Sequence, residues 1–254
     1  MFENKLAKLI RERKPSLGGW INLADPGIAV IMARAGYDWL LIDNEHHPFT
    51  EAQIQAMIYA LRTTGVTSII RVRGNDPSHI KWVLDTGAGG IMVPMIENAQ
   101  EVRNAISYSK YFPLGNRGYS PLRASDFWTF KHQYEEKANT EVLLICQIEL
   151  ISAVNEIEEI VQLPVDGIWI GYADLAYSMG YYGNFKHPEV QKAIDKVIDA
   201  ANKYNKPWGM PAATPEDFAK RIRQGALLMI SGSDSGFISS AASERVQQCR
   251  KAIE

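Results

Sequence analysis

The stretch "WLLIDNEHHPFTEAQIQAMIYALRTTGVTSIIR", residues 39–71, contains a complete strand–helix–strand unit. Trp39–Asp43 and Ser68–Arg71 are short, nearly continuous apolar runs, which are typical of strands buried on both faces. Between them, Thr50 is a suitable N-cap and Gly65 a suitable stop for one helix. This unit predicts a parallel sheet that is covered by helices.

The same alternation of apolar runs and helix-length segments recurs along the 254 residues. Helices are predicted after Pro77, which lies just inside a helix start, and after Thr214. About eight strands in about 250 residues predict an α/β fold, a (β/α)8 TIM barrel, with residues 1–254 as one domain. A doubly wound open sheet is the alternative, but no GxGxxG turn follows an early strand. The other candidate strands are Leu17–Ile21, Gly90–Pro94, Val142–Ile148, Gly167–Ile170, Pro207–Met210 and Leu227–Ser231.

Composition excludes several classes of protein. Hydrophobic residues make up 46% and charged residues 22%, an ordinary balance for a globular protein with a large core. The formal net charge of -2 gives no reason to expect nucleic acid or an anionic membrane as partner. No stretch has the length of a signal peptide or a membrane span. Cys146 lies in an apolar run, so a buried free thiol in a reducing cytoplasm is expected.

Polar residues fall at the ends of the predicted strands. In a barrel these ends share one rim, where barrel active sites lie. Taken singly, each residue has a structural role available to it, such as a helix N-terminal charge for Glu149 or a surface ion pair for Arg71. Taken together, they predict a functional site at this rim. They are Asp43, Glu45, His46 and His47 after the second strand, Arg71 and Arg73 after the third, Gln147 and Glu149 after the fifth, Asp174 after the sixth, and "SGSDSG" after the eighth.

Two of these carboxylates suggest a metal. Glu149 and Asp174 come from different strands and offer oxygen ligands, which suit Mg²⁺ or Mn²⁺ with several bound waters. A zinc site is less favoured, because adjacent side chains such as His46 and His47 on an extended segment point in opposite directions. His79 lies in a predicted helix.

The motifs "GYDWLLIDNEHHPF", "RVRGNDPSHIKWVLDTGAGGIMVPMIENAQE", "YFPLGNRGYSP", "QIE" and "GIWIGYADLAYSMGYYGNFKHPEV" resemble the class II, metal-dependent pyruvate aldolases. That group includes 4-hydroxy-2-oxo-heptanedioate aldolase and 2-dehydro-3-deoxyglucarate aldolase. The resemblance implies reversible cleavage of a 4-hydroxy-2-oxo acid to pyruvate and a small aldehyde, with Mg²⁺, Mn²⁺ or Co²⁺. It also implies a barrel whose C-terminal helix is domain-swapped, in a dimer-based homo-hexamer.

The resemblance also assigns roles to residues. It implies that Glu149 and Asp174 bind the metal, that His46 is the catalytic histidine and that Arg71 contacts the oxo group of pyruvate. Asp85, in "VLDTG", matches the acid that partners the histidine. The implied substrate-binding residues are Asp43, Gln147 and the backbone of Gly171, Tyr172 and Ala173.

Three positions depart from the family pattern: Asn44 and His47 replace small residues, and Tyr172 stands where Pro is common. They leave the chemical residues in place, and His47 is expected to affect mainly acceptor preference. The acceptor aldehyde stays open, since Arg117, Arg123 and Tyr119 in the long segment 111–140 suit either an acidic acceptor or subunit contacts.

Two other classes of function stay open. One is a phosphate-binding barrel isomerase or synthase, in which "SGSDSG" would bind phosphate through backbone N–H groups. The other is a non-catalytic binding protein on the same scaffold. No lysine lies at a strand end, which disfavours a Schiff-base aldolase.

Overall fold

The computed structural model describes residues 3–253, and its centre is a closed barrel of eight parallel strands in chain order. Each predicted strand is present, with ends within two residues of those expected, so the barrel prediction is confirmed. The strands are β1 (Ser16–Ile21), β2 (Trp39–Asp43), β3 (Thr67–Arg71), β4 (Gly90–Val93), β5 (Leu143–Ile148), β6 (Gly167–Ile170), β7 (Trp208–Pro211) and β8 (Leu228–Ser233).

Several helices begin where local chemistry caps them. Thr50 and Gln53 form a reciprocal capping box, and the side chains of Asp76 and Thr214 cap helices that have Pro in the first turn. The described helices are α1 (Lys5–Arg11), α2 (Pro26–Arg34), α3 (Glu51–Arg62), α4 (Pro77–Asp85), α5 (Ala99–Ser109), α6 (Lys131–Glu141), α7 (Ile151–Asn155), α8 (Ile157–Ile160), α9 (Tyr172–Ser178), α10 (Pro188–Lys203), α11 (Pro215–Arg223) and α12 (Asp234–Lys251). Within residues 3–253, no helix combines the length and apolar character that a bilayer crossing requires.

The barrel separates two apolar layers. Trp39, Leu41 and Ile69 belong to a cluster inside the barrel, whereas Leu40 and Ile42 pack against the surrounding helices. Side chains alternate with a period of two along a strand, so Asp43 continues the inward column of β2. By the same rule the side chain of Arg71 points inward like that of Ile69, and the side chain of Gln147 points inward like that of Ile145. The strands therefore deliver polar side chains to the mouth of the barrel.

The C-terminal helix α12 is anchored only at its start. Asp234 is buried and accepts hydrogen bonds from the backbone N–H groups of Asn22 and Leu23 at the end of β1 (2.9 and 3.0 Å). Beyond Asp234 every described residue of the helix is at least partly exposed, and Phe237 and Val246 have about half of their surface exposed. The helix therefore leaves its apolar side chains uncovered within one chain.

Candidate active site

A buried ion pair joins the ends of β2 and β3 at the mouth of the barrel. Arg71 donates from Nε to Oδ1 of Asp43 (2.9 Å) and from Nη2 to Oδ2 (2.8 Å), a bidentate arrangement. Its guanidinium lies 4.7 Å from the ring of Trp20. Asp43 and Arg71 are 1% and 4% exposed. Burial alone would raise the pKa of Asp43, but the hydrogen bonds and charge of Arg71 outweigh burial and hold it at about 2.

Glu149 follows β5 and is held on both sides. Its Oε1 accepts the backbone N–H of Met95 (2.7 Å), and its Oε2 accepts from Nε2 of Gln147. Met95 has a φ of 55°, the left-handed region that a methionine rarely adopts. At Gly171, an added Cβ would lie 2.5 Å from Oε2 of Glu149 and 3.0 Å from Nε2 of Gln147. Only glycine therefore lets the backbone between β6 and α9 approach this carboxylate.

Three carboxylates gather at the mouth of the barrel. Glu45 forms an ion pair with Nη1 of Arg71 at 3.0 Å. Burial raises the pKa of Glu149 to about 7, and the charges of Glu45 and Asp174 add to the increase. Burial also raises the pKa of Glu45, where Arg71 opposes the increase and Asp43 and Asp174 reinforce it. Glu45 and Asp174 are therefore close enough to Glu149 to disfavour its charged form.

The two adjacent histidines have different surroundings. Nδ1 of His47 lies 2.9 Å from Oδ2 of Asp43, and its side chain is 33% exposed. The His46 side chain is 59% exposed, and its Nε2 lies 3.6 Å from Glu45. The strand-end carboxylate thus positions His47, whereas His46 lies on the outer side of the rim.

Asp85 lies away from the rim, whereas the backbone of Gly171, Tyr172 and Ala173 lies beside the site. Asp85 ends α4, which runs back from β3 toward the start of β4, so it lies toward the opposite end of the barrel. It pairs there with Arg117 (2.6 Å), and the structure does not bring it to His46. The backbone of Gly171, Tyr172 and Ala173 does lie beside the site, at the start of α9, but the Tyr172 ring packs on Phe185 (4.7 Å).

Sequence reasoning placed Glu45 at the rim without a specific role and missed two other contributors. Glu45 pairs with Arg71, Trp20 supports the same guanidinium, and the backbone of Met95 holds Glu149. The inward periodicity from Asp43 to Glu45 was an available signal for Glu45. For Met95 the sequence carries no signal, because a backbone N–H makes the contact.

Two of the three departures from the family pattern, Asn44 and His47, lie in the loop after β2. Asn44 is buried, and its Nδ2 lies 3.2 Å from Nε2 of His79 on α4. His79 in turn stacks on Trp82. Asn44 therefore fastens the loop after β2 to a neighbouring helix, outside the mouth of the barrel.

The oxygen-rich donor set fits a hard divalent cation. Glu149 is 1% exposed, with a pKa that its neighbours raise, and Oε1 of Gln147 has no hydrogen-bond partner within residues 3–253. A cation beside Glu149 and Asp174 would relieve the repulsion between these carboxylates. In the described part of the chain, no three His, Cys, Asp or Glu side chains form a complete metal cage. Two carboxylates and several waters match the coordination that Mg²⁺ prefers.

The segment "SGSDSG" does not suit phosphate. The buried carboxylate of Asp234 already accepts the nearby backbone N–H groups of Asn22 and Leu23. Its negative charge would repel a phosphate group. This geometry disfavours the phosphate-binding isomerase or synthase.

The chain is similar to known proteins over nearly its whole length. The model of the family described as HpcH/HpaI aldolase/citrate lyase matches residues 16–241. The chain is 37% identical over 244 residues to 4-hydroxy-2-oxo-heptane-1,7-dioate aldolase from Escherichia coli, covering 95% of this chain and 93% of that one. It is 36% identical over 238 residues to 2-dehydro-3,6-dideoxy-6-sulfogluconate aldolase from Pseudomonas putida, covering 93% of each. The crystal structure of an HpcH/HpaI aldolase/citrate lyase family protein from Burkholderia cenocepacia J2315 superposes with a TM-score of 0.91 at 30% identity, covering 97% of this chain and 99% of that one.

Proposed function

The chain belongs to the HpcH/HpaI aldolase/citrate lyase family and is a carbon–carbon lyase, and we propose that it cleaves a 4-hydroxy-2-oxo acid reversibly to pyruvate and a small aldehyde. The observation that carries this proposal is the position of Glu45 at the barrel mouth, paired with Arg71 and close to the carboxylates of Glu149 and Asp174. With Asp43, the site holds four carboxylates and one guanidinium. A 2-oxo acid is an anion, so this site needs a bound cation to accept it.

We assign the cation to Glu149 and Asp174, with Mg²⁺ or Mn²⁺ preferred and Co²⁺ as a substitute. When bound, it supplies Lewis acidity to the carboxylate and 2-oxo oxygens of pyruvate. Met95 and Gln147 hold Glu149 in one orientation through its two oxygens. The unpaired Oε1 of Gln147 and the start of α9 border the place for the pyruvate unit.

Arg71 stabilises the charge that develops on the 2-oxo oxygen. Its contacts with Asp43 and Glu45 leave further N–H groups on Nη1 and Nη2. A guanidinium fixed by a bidentate carboxylate does not reorganise as the enolate forms, which is the condition for electrostatic catalysis. Trp20 below the guanidinium keeps water from that side.

We propose that His46 exchanges the proton at C3 of pyruvate, the acid–base role that the family resemblance assigns to it. Its exposure lets it exchange that proton with solvent. Asp85 does not orient it within one chain, so a contribution from Asp85 requires a second copy of the chain. The exposed α12, with Phe237 and Val246 uncovered, suits a swapped homo-oligomer, and we propose a dimer-based hexamer in the cytoplasm.

Proton exchange of pyruvate tests this function without knowledge of the aldehyde. The protein with Mn²⁺ or Mg²⁺ should exchange the methyl protons of pyruvate for deuterium, as followed by NMR, and should stop after chelation. A panel of aldehydes, read by product mass, should then yield 4-hydroxy-2-oxo acids. Exchange that is absent with every metal, or that survives complete chelation, contradicts the proposal.

A further inference from the structure

The loop after β2 presents a second imidazole that the family resemblance does not explain. We infer that His47 is a further catalytic residue, which accepts the proton of the C4 hydroxyl during cleavage, while Asp43 holds its ring. The inference rests on the proposed aldol cleavage. It replaces the expectation that His47 affects mainly acceptor preference.

The geometry around His47 is that of an oriented base. Its Nδ1 lies 2.9 Å from Oδ2 of Asp43, and an ionised carboxylate can only accept a hydrogen bond. Nδ1 must therefore carry the proton, which leaves Nε2 of the neutral ring as an acceptor. No other described residue is hydrogen-bonded to this ring. Asp43 is itself fixed by both contacts with Arg71, so the imidazole rests on a rigid support.

The position of His47 places it next to the reacting atoms. A single carboxylate oxygen, Oδ2 of Asp43, accepts from both His47 and Nη2 of Arg71. Arg71 is proposed to hold the 2-oxo oxygen, and C4 lies two carbons from that carbonyl carbon. The side chain is 33% exposed, and Nε2 is the ring nitrogen that the contact with Asp43 leaves free for a bound substrate. The ring of His46 has no comparable support, since within residues 3–253 it has no hydrogen bond and its Nε2 lies 3.6 Å from Oε2 of Glu45.

The two histidines then divide the proton transfers of cleavage. Nε2 of His47 takes the proton from the C4 hydroxyl, and the electron pair of that O–H bond becomes the carbonyl of the leaving aldehyde. The C3–C4 bond breaks, and its electron pair forms the pyruvate enolate. His46 donates a proton to C3, and both partly exposed rings return to their starting states by exchange with solvent. Asp43 stabilises the imidazolium of His47 in the meantime.

Comparing two reactions tests this division. Pyruvate methyl exchange needs only the imidazole that acts at C3, whereas cleavage of a 4-hydroxy-2-oxo acid needs both imidazoles. His47→Ala and His47→Asn should each lower kcat for cleavage at least about a hundredfold, the lower range for loss of an acid–base group. Pyruvate exchange should stay within about tenfold of the starting protein. Asn is the informative replacement, because its amide can still donate to Asp43 but has no counterpart of Nε2.

Further measurements distinguish a catalytic His47 from a structural one. Free imidazole should restore part of the cleavage activity of His47→Ala, which a structural role would not produce. His132→Ala, which removes a 90% exposed histidine, should change neither reaction. His46→Ala should lower both reactions.

Each contrary result has one meaning for His47. Near-normal cleavage by His47→Asn would show that His47 only positions Asp43, and near-normal cleavage by His47→Ala would show that it has no role. Equal loss of both reactions would show that it maintains the site. All three overturn the inference and leave the proposed aldolase intact. A starting protein inactive in both reactions would instead refute the proposed function.

Discussion

Replacing Asp43 by Asn tests the ion pair on which the site is built. Asn keeps the shape of the side chain but turns one acceptor oxygen into an N–H donor. If its oxygen faces Nε of Arg71, the new donor faces Nη2 of Arg71, and a buried guanidinium loses half of its bidentate partner. Removing one partner of a buried ion pair typically costs about 3–5 kcal/mol.

The pKa of Asp43 gives a second value for this loss in the free energy of unfolding. The folded protein lowers that pKa from 3.8 to about 2. At about 1.4 kcal/mol per pKa unit, the charged form contributes about 2–3 kcal/mol to the free energy of unfolding. Because the folded pKa is the lower one, this stability is fully present above pH 3.8 and is lost as the pH falls toward 2. Both routes give a loss of about 3 kcal/mol for Asp43→Asn at neutral pH.

Urea unfolding followed by tryptophan fluorescence measures this loss, at one fixed protein concentration because association contributes to stability. The variant should also lack the part of the acid destabilisation that Asp43 causes. Glu189→Gln, which removes an exposed pair with Lys192, is the control and should leave the midpoint unchanged. A loss below about 1 kcal/mol, or an unchanged acid slope, would show that Arg71 does not depend on Asp43.

Glu149→Ala and Asp174→Ala should each abolish metal-dependent pyruvate exchange without loss of the fold, as checked by circular dichroism. Exchange activity that remains in either variant after chelation would contradict the metal assignment. Arg71→Lys should lose at least about a hundredfold in kcat, because a point charge cannot keep the contacts with Asp43 and Glu45 while holding the enolate; unchanged turnover would make Arg71 structural. Mn²⁺ affinity, measured by calorimetry, should weaken up to about tenfold per pH unit below about 7, since protons compete for a Glu149 whose pKa is raised to about 7; a flat profile between pH 5 and 7 would contradict this. Gly171→Ala should weaken Mn²⁺ binding more than it lowers Tm, because its Cβ would meet Oε2 of Glu149 at 2.5 Å; unaltered binding would show that the carboxylate can move freely.

The barrel was predictable because its signals are periodic. Eight apolar runs separated by helices fix the order and direction of the strands, and Thr50 and Pro77 mark helix starts through local chemistry. The same period of two carries Asp43 and Arg71 inward from their strands. The side chains that lie within strands were therefore the safest part of the site prediction.

The rest of the site depends on backbone that has no period. Met95 adopts a left-handed backbone conformation, and its N–H donates to Glu149. The identity of the methionine side chain does not predict this contact. Asp85 illustrates a different limit. Its motif resembles that of the family acid, but a helix that follows β3 must run back along the barrel, so its last residue ends far from the rim. The predicted alternation of strands and helices was therefore enough to place Asp85 away from the rim.

The paired histidines show how far the strand period extends past β2. If side chains continued to alternate, Asp43, Glu45 and His47 would share one face and His46 would take the other. The contacts follow this pattern, since Glu45 reaches Arg71 and His47 reaches Asp43, while His46 is the most exposed of the four. The family pattern selects His46 as the catalytic histidine, and the alternation of side chains selects His47. Both residues can be catalytic. Cleavage moves one proton at C3 and another at the C4 hydroxyl, so a loop that places one imidazole at the outer rim and another on Asp43 serves both transfers.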